Sequence, residues 1–187
     1  MTAISLSERA TIVLDTLDEL YPEVPPVPLN YTTDWELLVA VILSAQCTDV
    51  KVNEVTGKLF RKYSTLTDYV QADQEEFEHD IRSTGFYRNK AKHIKASAKI
   101  IQSDFNNRVP DTMDDLLKLP GVARKTANVV LGVVYNKYEG IVVDTHIKRL
   151  STKFGLVTSK SPEAIERELM KIIPKEKWWD FSSKLKA

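Results

Sequence analysis

Leu119-Pro120-Gly121-Val122-Ala123-Arg124-Lys125-Thr126-Ala127-Asn128-Val129-Val130 is the stretch on which the reading of this chain turns. The segment before it, 111–118, reads as a short helix, and 124–135 reads as a second one. Gly121 in the link can take a positive φ, which lets the chain reverse tightly and aims backbone N–H groups outward at the start of the next helix. Those donors and the helix dipole suit a phosphate oxygen. This is the physics of a helix-hairpin-helix, which grips one DNA backbone without reading its sequence. A plain helical turn is the alternative that Leu-Pro-Gly-Val alone leaves open.

Outward from this hairpin the chain reads as helical nearly throughout, because apolar residues recur at three- and four-residue spacing and hardly any segment alternates with period two. Ile12, Leu14, Leu17 and Leu20 mark a first amphipathic helix that Tyr21-Pro22 ends. Prolines 22, 25, 26 and 28 then make an extended connector. Asp34 is expected to cap a nearly apolar helix reaching about Ala45, buried on most sides. Further helices are expected at about 48–61, 66–72, 74–82 and 87–105, bounded by Thr48, Ser64, Asp73, Gly85 and Asn106-Asn107. Beyond the hairpin, Asp144 caps a helix to about Phe154, Ser161-Pro162 opens another to about Ile173, and a last helical piece begins near Glu176. Ile141-Val142-Val143 is the one strand candidate, too short to found a sheet.

The composition, 43% apolar and 28% charged over 187 residues, is that of an ordinary globular chain and argues against disorder. Apolar runs are too short to cross a bilayer and no secretory signal is visible, so a soluble intracellular protein is expected, without a membrane partner. The net charge is zero, but it is unevenly spread: residues 1–78 carry 5 basic and 14 acidic side chains, residues 79–187 carry 21 and 12. The second part therefore has a field able to hold a polyanion. The single cysteine, Cys47, excludes an internal disulfide and any site built from several thiolates of this sequence; it is expected to be a buried, small apolar residue.

Together with Val143-Asp144-Thr145-His146-Ile147-Lys148-Arg149-Leu150, the hairpin run resembles the helix-hairpin-helix and Gly/Pro-Asp signature of the endonuclease III family. Leu43-Ser44-Ala45-Gln46-Cys47-Thr48-Asp49 resembles that family's Ser-Ala-Gln-x-Thr-Asp element, and Gly85-Phe86-Tyr87-Arg88-Asn89-Lys90-Ala91 its damage-probing loop. The resemblance implies catalytic roles for Lys125 and Asp144. Lys125 would attack C1′ of a damaged nucleotide and form a Schiff base, favoured as the neutral amine by its helix start and by Arg124 beside it. Asp144, held ionised by backbone N–H groups, would stabilise oxocarbenium character and manage the lysine proton, while also serving as an N-cap. Gln46 would enter the base stack and Phe86 would act as the wedge, a core contact being the plainer reading for Phe86. Gly121, Ala123, Arg124, Thr126, Lys148 and Arg149 are the further DNA-binding candidates. Ser44, Asp49 and His146 are expected near the pocket, His146 as a hydrogen-bonded structural group. Without the resemblance, Lys125 reads as an exposed salt-bridging lysine.

Two departures qualify the resemblance. Ala123 stands where many relatives have a second hairpin glycine, with little harm expected. Relatives also continue into a tail whose four cysteines bind a 4Fe-4S cluster; with one cysteine no such cofactor can be ligated by this sequence, and no other metal site is expected. The expected architecture is all-α with two helical lobes. One is a six-helix barrel over about 30–137 that contains the hairpin at 111–135; the other is formed by 1–29 and 138–187 and carries Asp144, the active site lying in the cleft between them. The implied function is a monomeric, bifunctional DNA glycosylase and AP lyase that removes oxidised pyrimidines from duplex DNA and then cleaves at the abasic site. The rival is a truncated module that binds DNA through the hairpin with little or no catalysis.

Overall fold

The computed structural model describes residues 4–24 and 27–186. Among them the only regular elements are helices: α1 (Leu6–Leu20), α2 (Asp34–Ser44), α3 (Asp49–Lys62), α4 (Leu66–Gln71), α5 (Gln74–Asp80), α6 (Tyr87–Asp104), α7 (Met113–Leu116), α8 (Arg124–Tyr135), α9 (Thr145–Lys153), α10 (Pro162–Ile172) and α11 (Trp178–Lys184), with 3₁₀ turns at Arg82–Thr84 and Lys175–Lys177. The chain divides into two compact units, Pro28–Tyr135 and Met1–Val27 with Asn136–Ala187. Pro25 and Pro26 of the expected connector lie outside the described residues.

Side-chain caps set most helix starts. Thr33, not Asp34, caps α2: its hydroxyl accepts from Glu36 N at 3.2 Å while the Glu36 carboxylate reaches back to Thr33 N at 3.3 Å. The same reciprocal box makes Thr65, rather than Ser64, the cap of α4, with Asp68 as its partner. Each box satisfies two backbone donors that a helix start would otherwise leave open. The helix expected over 111–118 contracts to the single turn α7, capped by Thr112. Ser161 caps α10 with Pro162 in its first turn. Ile141, Val142 and Val143 pair with no strand; Ile141 and Val142 are buried as irregular chain.

In the Pro28–Tyr135 unit, α2 packs against α3, α6 and α8, and α6 also packs against α4 and α5. Its central helix α2 buries Leu37, Leu38, Val39, Ala40, Ile42 and Leu43, as its nearly unbroken apolar sequence requires. Tyr63, Tyr69 and Phe77 close one end of this core with ring centroids 5.3–5.8 Å apart. In the other unit, α1 packs on α10 and α11 around Leu14, Leu17, Ile147, Ile165, Leu169 and Phe181. Of the four apolar residues that mark α1 in the sequence, Ile12 and Leu20 lie off this face, 54% and 64% exposed.

Asp18 on α1 ties this second unit together by accepting from Lys177 at 2.8 Å and from Lys184 on α11 at 2.5 Å. The hydrogen bond from Lys177, then that from Lys184, holds the Asp18 carboxyl below its ordinary value. A carboxyl depressed in the folded state adds stability above its unfolded value, about 3.9, and that stability is lost as the pH falls through the folded value. Asp18 is 38% exposed, so solvent screening limits the contribution to about 1 kcal/mol or less. Asp18→Asn is therefore expected to lower the denaturation midpoint at pH 7, with the difference from the native chain fading as the pH drops below 4. Urea titrations across that range check it; a deficit that persists undiminished in acid would contradict it.

Candidate functional site

The Leu119–Val122 link is a tight turn in which Val122 N donates to Leu119 O at 3.1 Å. Pro120 stands second and Gly121 third, with φ +81°, the residue pattern of a type II turn. Glycine is required there twice over. A Cβ on Gly121 would lie 2.9 Å from His93 Cβ on α6, besides forcing an L side chain into left-handed space. Ser97, one turn along α6, donates its hydroxyl to Pro120 O at 2.9 Å and pins the turn from the same side. Ala123 has no positive φ, so the missing second glycine is not demanded by the backbone. Its carbonyl accepts the first bond of α8, from Ala127 N at 3.0 Å, and its methyl offers no acceptor to the first-turn N–H groups.

Arg124 and Lys125 occupy that first turn and are exposed, with Thr126 half-buried. The opposite face of α8 buries Ala127, Asn128, Val130 and Leu131 and fixes the helix in the core. A long primary amine is thus carried on a rigid helix start, immediately after a turn held from α6.

Two further segments project exposed side chains from this unit. Gln46 follows the end of α2 with φ 55°, and Phe86 precedes α6 with φ 48° and ψ 26°. The other described non-glycine residues with positive φ are Asn106, Asn107 and Asn136, a residue type that tolerates this region. Glutamine and phenylalanine do not share that tolerance, so both probing candidates sit in strained backbone. Phe86 is 65% exposed, which removes the core-contact reading. Ser44 is half-buried and donates its hydroxyl to Val41 O at 2.8 Å, while Asp49 is exposed at the start of α3, behind its cap Thr48. Cys47 is half-buried, not buried as expected, because it lies in the turn after α2 and not in the core.

Lys90 was invisible to sequence reasoning as a site residue. It is only 5% exposed, and its Nζ donates to Leu43 O and Thr84 O, both at 2.8 Å. Burial pulls its ammonium below the ordinary lysine value. The available signal was its register: residues 90, 94, 97, 98 and 101 form the buried stripe of α6, so a lysine at its head had to find partners.

The remaining candidates belong to the other unit. Asp144 caps α9, its Oδ1 accepting from His146 N and Ile147 N, both at 2.9 Å. It is half-buried, and these bonds leave Oδ2 to other partners. His146 contributes its backbone N–H to this cap while its side chain is exposed; Lys148 and Arg149 are exposed on α9. Among the described residues no group of three or more His, Cys, Asp and Glu side chains is placed to hold a metal ion. A 4Fe-4S cluster needs four ligands of the cysteine type; this sequence has one cysteine, so its residues do not fit that group. No described helix is long and apolar enough to cross a membrane.

Comparison with known proteins gives a consistent result. Residues 39–175 match the model of the HhH-GPD superfamily base excision DNA repair proteins. The chain is 49% identical to the endonuclease III of Synechocystis sp. over 95% of its own length and 81% of that protein's. It is 46% identical to the endonuclease III of Bacillus subtilis over 88% and 75% respectively. Its structure matches that of a trapped endonuclease III–DNA covalent intermediate with a TM-score of 0.92 at 42% identity, covering 98% of this chain and 85% of that one.

Two outcomes follow from the backbone geometry. Phe86→Gly removes left-handed strain of about 1–3 kcal/mol but adds unfolded-chain entropy of about 0.4–1 kcal/mol, so the net is expected to be stabilisation of up to about 2.5 kcal/mol. Gly121→Ala acquires strain and a clash against His93 and is expected to lose about 1–3 kcal/mol. Thermal melts of the two variants should move in opposite directions; a stabilised Gly121→Ala or a clearly destabilised Phe86→Gly would contradict the geometry.

Proposed function

The chain belongs to the HhH-GPD superfamily of base excision DNA repair proteins, and from that membership we propose a bifunctional DNA glycosylase and AP lyase with Lys125 as nucleophile and Asp144 as its carboxylate partner. The observation that carries the assignment of Lys125 is its place: an exposed amine on the first turn of α8, directly after the tight turn, in a chain that matches a covalently trapped endonuclease III–DNA complex over 98% of its length. Lys125 Nζ bonds to C1′ as the bond to the damaged base breaks. The C1′–O4′ bond then opens, O4′ taking a proton, and the iminium so formed acidifies the C2′ proton, whose loss expels the 3′-phosphate by β-elimination. Asp144 meets the positive charge that develops at C1′ and takes up the proton released by the amine.

The substrates are proposed to be oxidised pyrimidines in duplex DNA, followed by the abasic site itself. Gly121, Ala123, Arg124 and Thr126 at the hairpin, with Lys148 and Arg149 on α9, would face backbone phosphates. Gln46 and Phe86 would enter the stack when the nucleotide is extruded, with Ser44, Asp49 and His146 nearer the pocket rim. The protein is proposed to act as a monomer on chromosomal DNA in the cytoplasm.

Borohydride should trap a protein–DNA adduct with the native chain and an abasic duplex, and Lys125→Gln should abolish it while DNA binding survives. Asp144→Asn keeps an N-capping side chain and should fold, yet lose on the order of 10²-fold or more in base release. Full trapping by Lys125→Gln would place the nucleophile elsewhere. No adduct from the native chain at saturating protein would make the binding module the better reading.

A further inference from the structure

Leu43 is in the last turn of α2, where carbonyls have no partner within the helix, and Thr84 ends a 3₁₀ turn. Both carbonyls receive the buried Lys90 ammonium at 2.8 Å. Leu43 lies three residues before Gln46, and Thr84 lies two before Phe86. One side chain thus joins the two segments that hold the strained, exposed residues, although they are some forty positions apart in sequence. Thr84 is itself buried and donates its hydroxyl back to Ile81 O at 2.8 Å, so the carbonyl that Lys90 grips belongs to a fixed turn. Few other side chains could do this: a charged donor with several hydrogens serves two carbonyls at once, and its charge complements the C-terminal end of α2.

We infer that Lys90 is a positioning residue for nucleotide extrusion, clamping the Gln46 and Phe86 segments into one rigid probe. The inference rests on the proposed function for its consequence on DNA, but the clamp itself is a property of the free protein. Without the clamp each segment can relax toward unstrained backbone, so the two side chains no longer enter the stack at a fixed separation. The step that suffers is extrusion of a base that is still paired and stacked. An abasic site has no base to unpair, and its processing depends less on the probe.

The test has two arms and uses the full chain. Hydrogen exchange of free Lys90→Met should show faster exchange at both 43–48 and 83–88, by about tenfold or more, with 119–124 unchanged. Change in only one segment, or in neither, overturns the clamp. In single-turnover assays the variant should lose about tenfold or more on a duplex with an oxidised pyrimidine, and no more than about threefold on a preformed abasic site. Phe86→Ala added to Lys90→Met should cost little beyond the larger single loss. Equal losses on both duplexes, or losses that multiply in the double variant, overturn the positioning role. Lys90→Gln retains an amide donor and is the second variant should Lys90→Met not fold. A native chain inactive on both duplexes would defeat the functional reading, and the exchange arm would still decide the clamp.

Discussion

One buried face of α6 organises the Pro28–Tyr135 unit. Helix geometry places 90, 93/94, 97 and 101 along one side, and Ile94, Ala98 and Ile101 sink that side into the core. The polar groups interspersed with them are directed at other segments. Lys90 takes the carbonyls of Leu43 and Thr84, the His93 ring fills the space that Gly121 leaves open, and Ser97 takes the carbonyl of Pro120. A buried carbonyl left without a donor costs about 1–3 kcal/mol, so each contact fixes a loop as well as stabilising it. The turn after α2, the turn before α6 and the turn before α8 are therefore located by the same helix.

That frame explains how strain persists at Gln46 and Phe86. A left-handed non-glycine residue costs about 1–3 kcal/mol and survives only where surrounding structure over-determines it. Neither side chain compensates by burial, since both are exposed. The compensation comes from neighbours: Lys90 on both segments, and the packing of α2 and α6. Selection for stability alone would place glycine or asparagine at such positions, as Asn106 and Asn107 illustrate at the end of α6. A large exposed side chain held there against its backbone preference points to what the side chain meets in use.

The helices were legible in the sequence because period and caps are local. Where the reading erred, the deciding information lay one step further off. Thr33 and Asp34 are both good caps, and the choice falls to Thr33 because Glu36 stands three residues after it and can return the bond. In α1 the core stripe is Ala10, Leu14 and Leu17; at about 100° per residue Ile12 falls on the far side of that stripe. Lys90, His93 and Ser97 escaped because their partners are contributed by tertiary structure, and a lysine is ordinarily read as solvent-facing. The hairpin could be read outright, since Pro-Gly fixes a turn whatever surrounds it.

The reactive candidates share a property that the positioning residues lack. Lys125 is exposed on the first turn of a helix that is anchored by its opposite face, and Asp144 is half-buried with one oxygen engaged by two backbone donors. A carboxylate has about four acceptor sites on two oxygens, so capping α9 with Oδ1 orients the group without exhausting it. The cap thus fixes the orientation of Asp144 and leaves an oxygen for the chemical role proposed for it. Lys90 is the converse case: the same functional group as Lys125, but buried and committed to two carbonyls, which leaves it unsuited to attack an electrophile and suited to hold backbone. Of two amines thirty-five positions apart, burial and hydrogen bonding leave one exposed for the chemistry proposed for it and commit the other to backbone carbonyls.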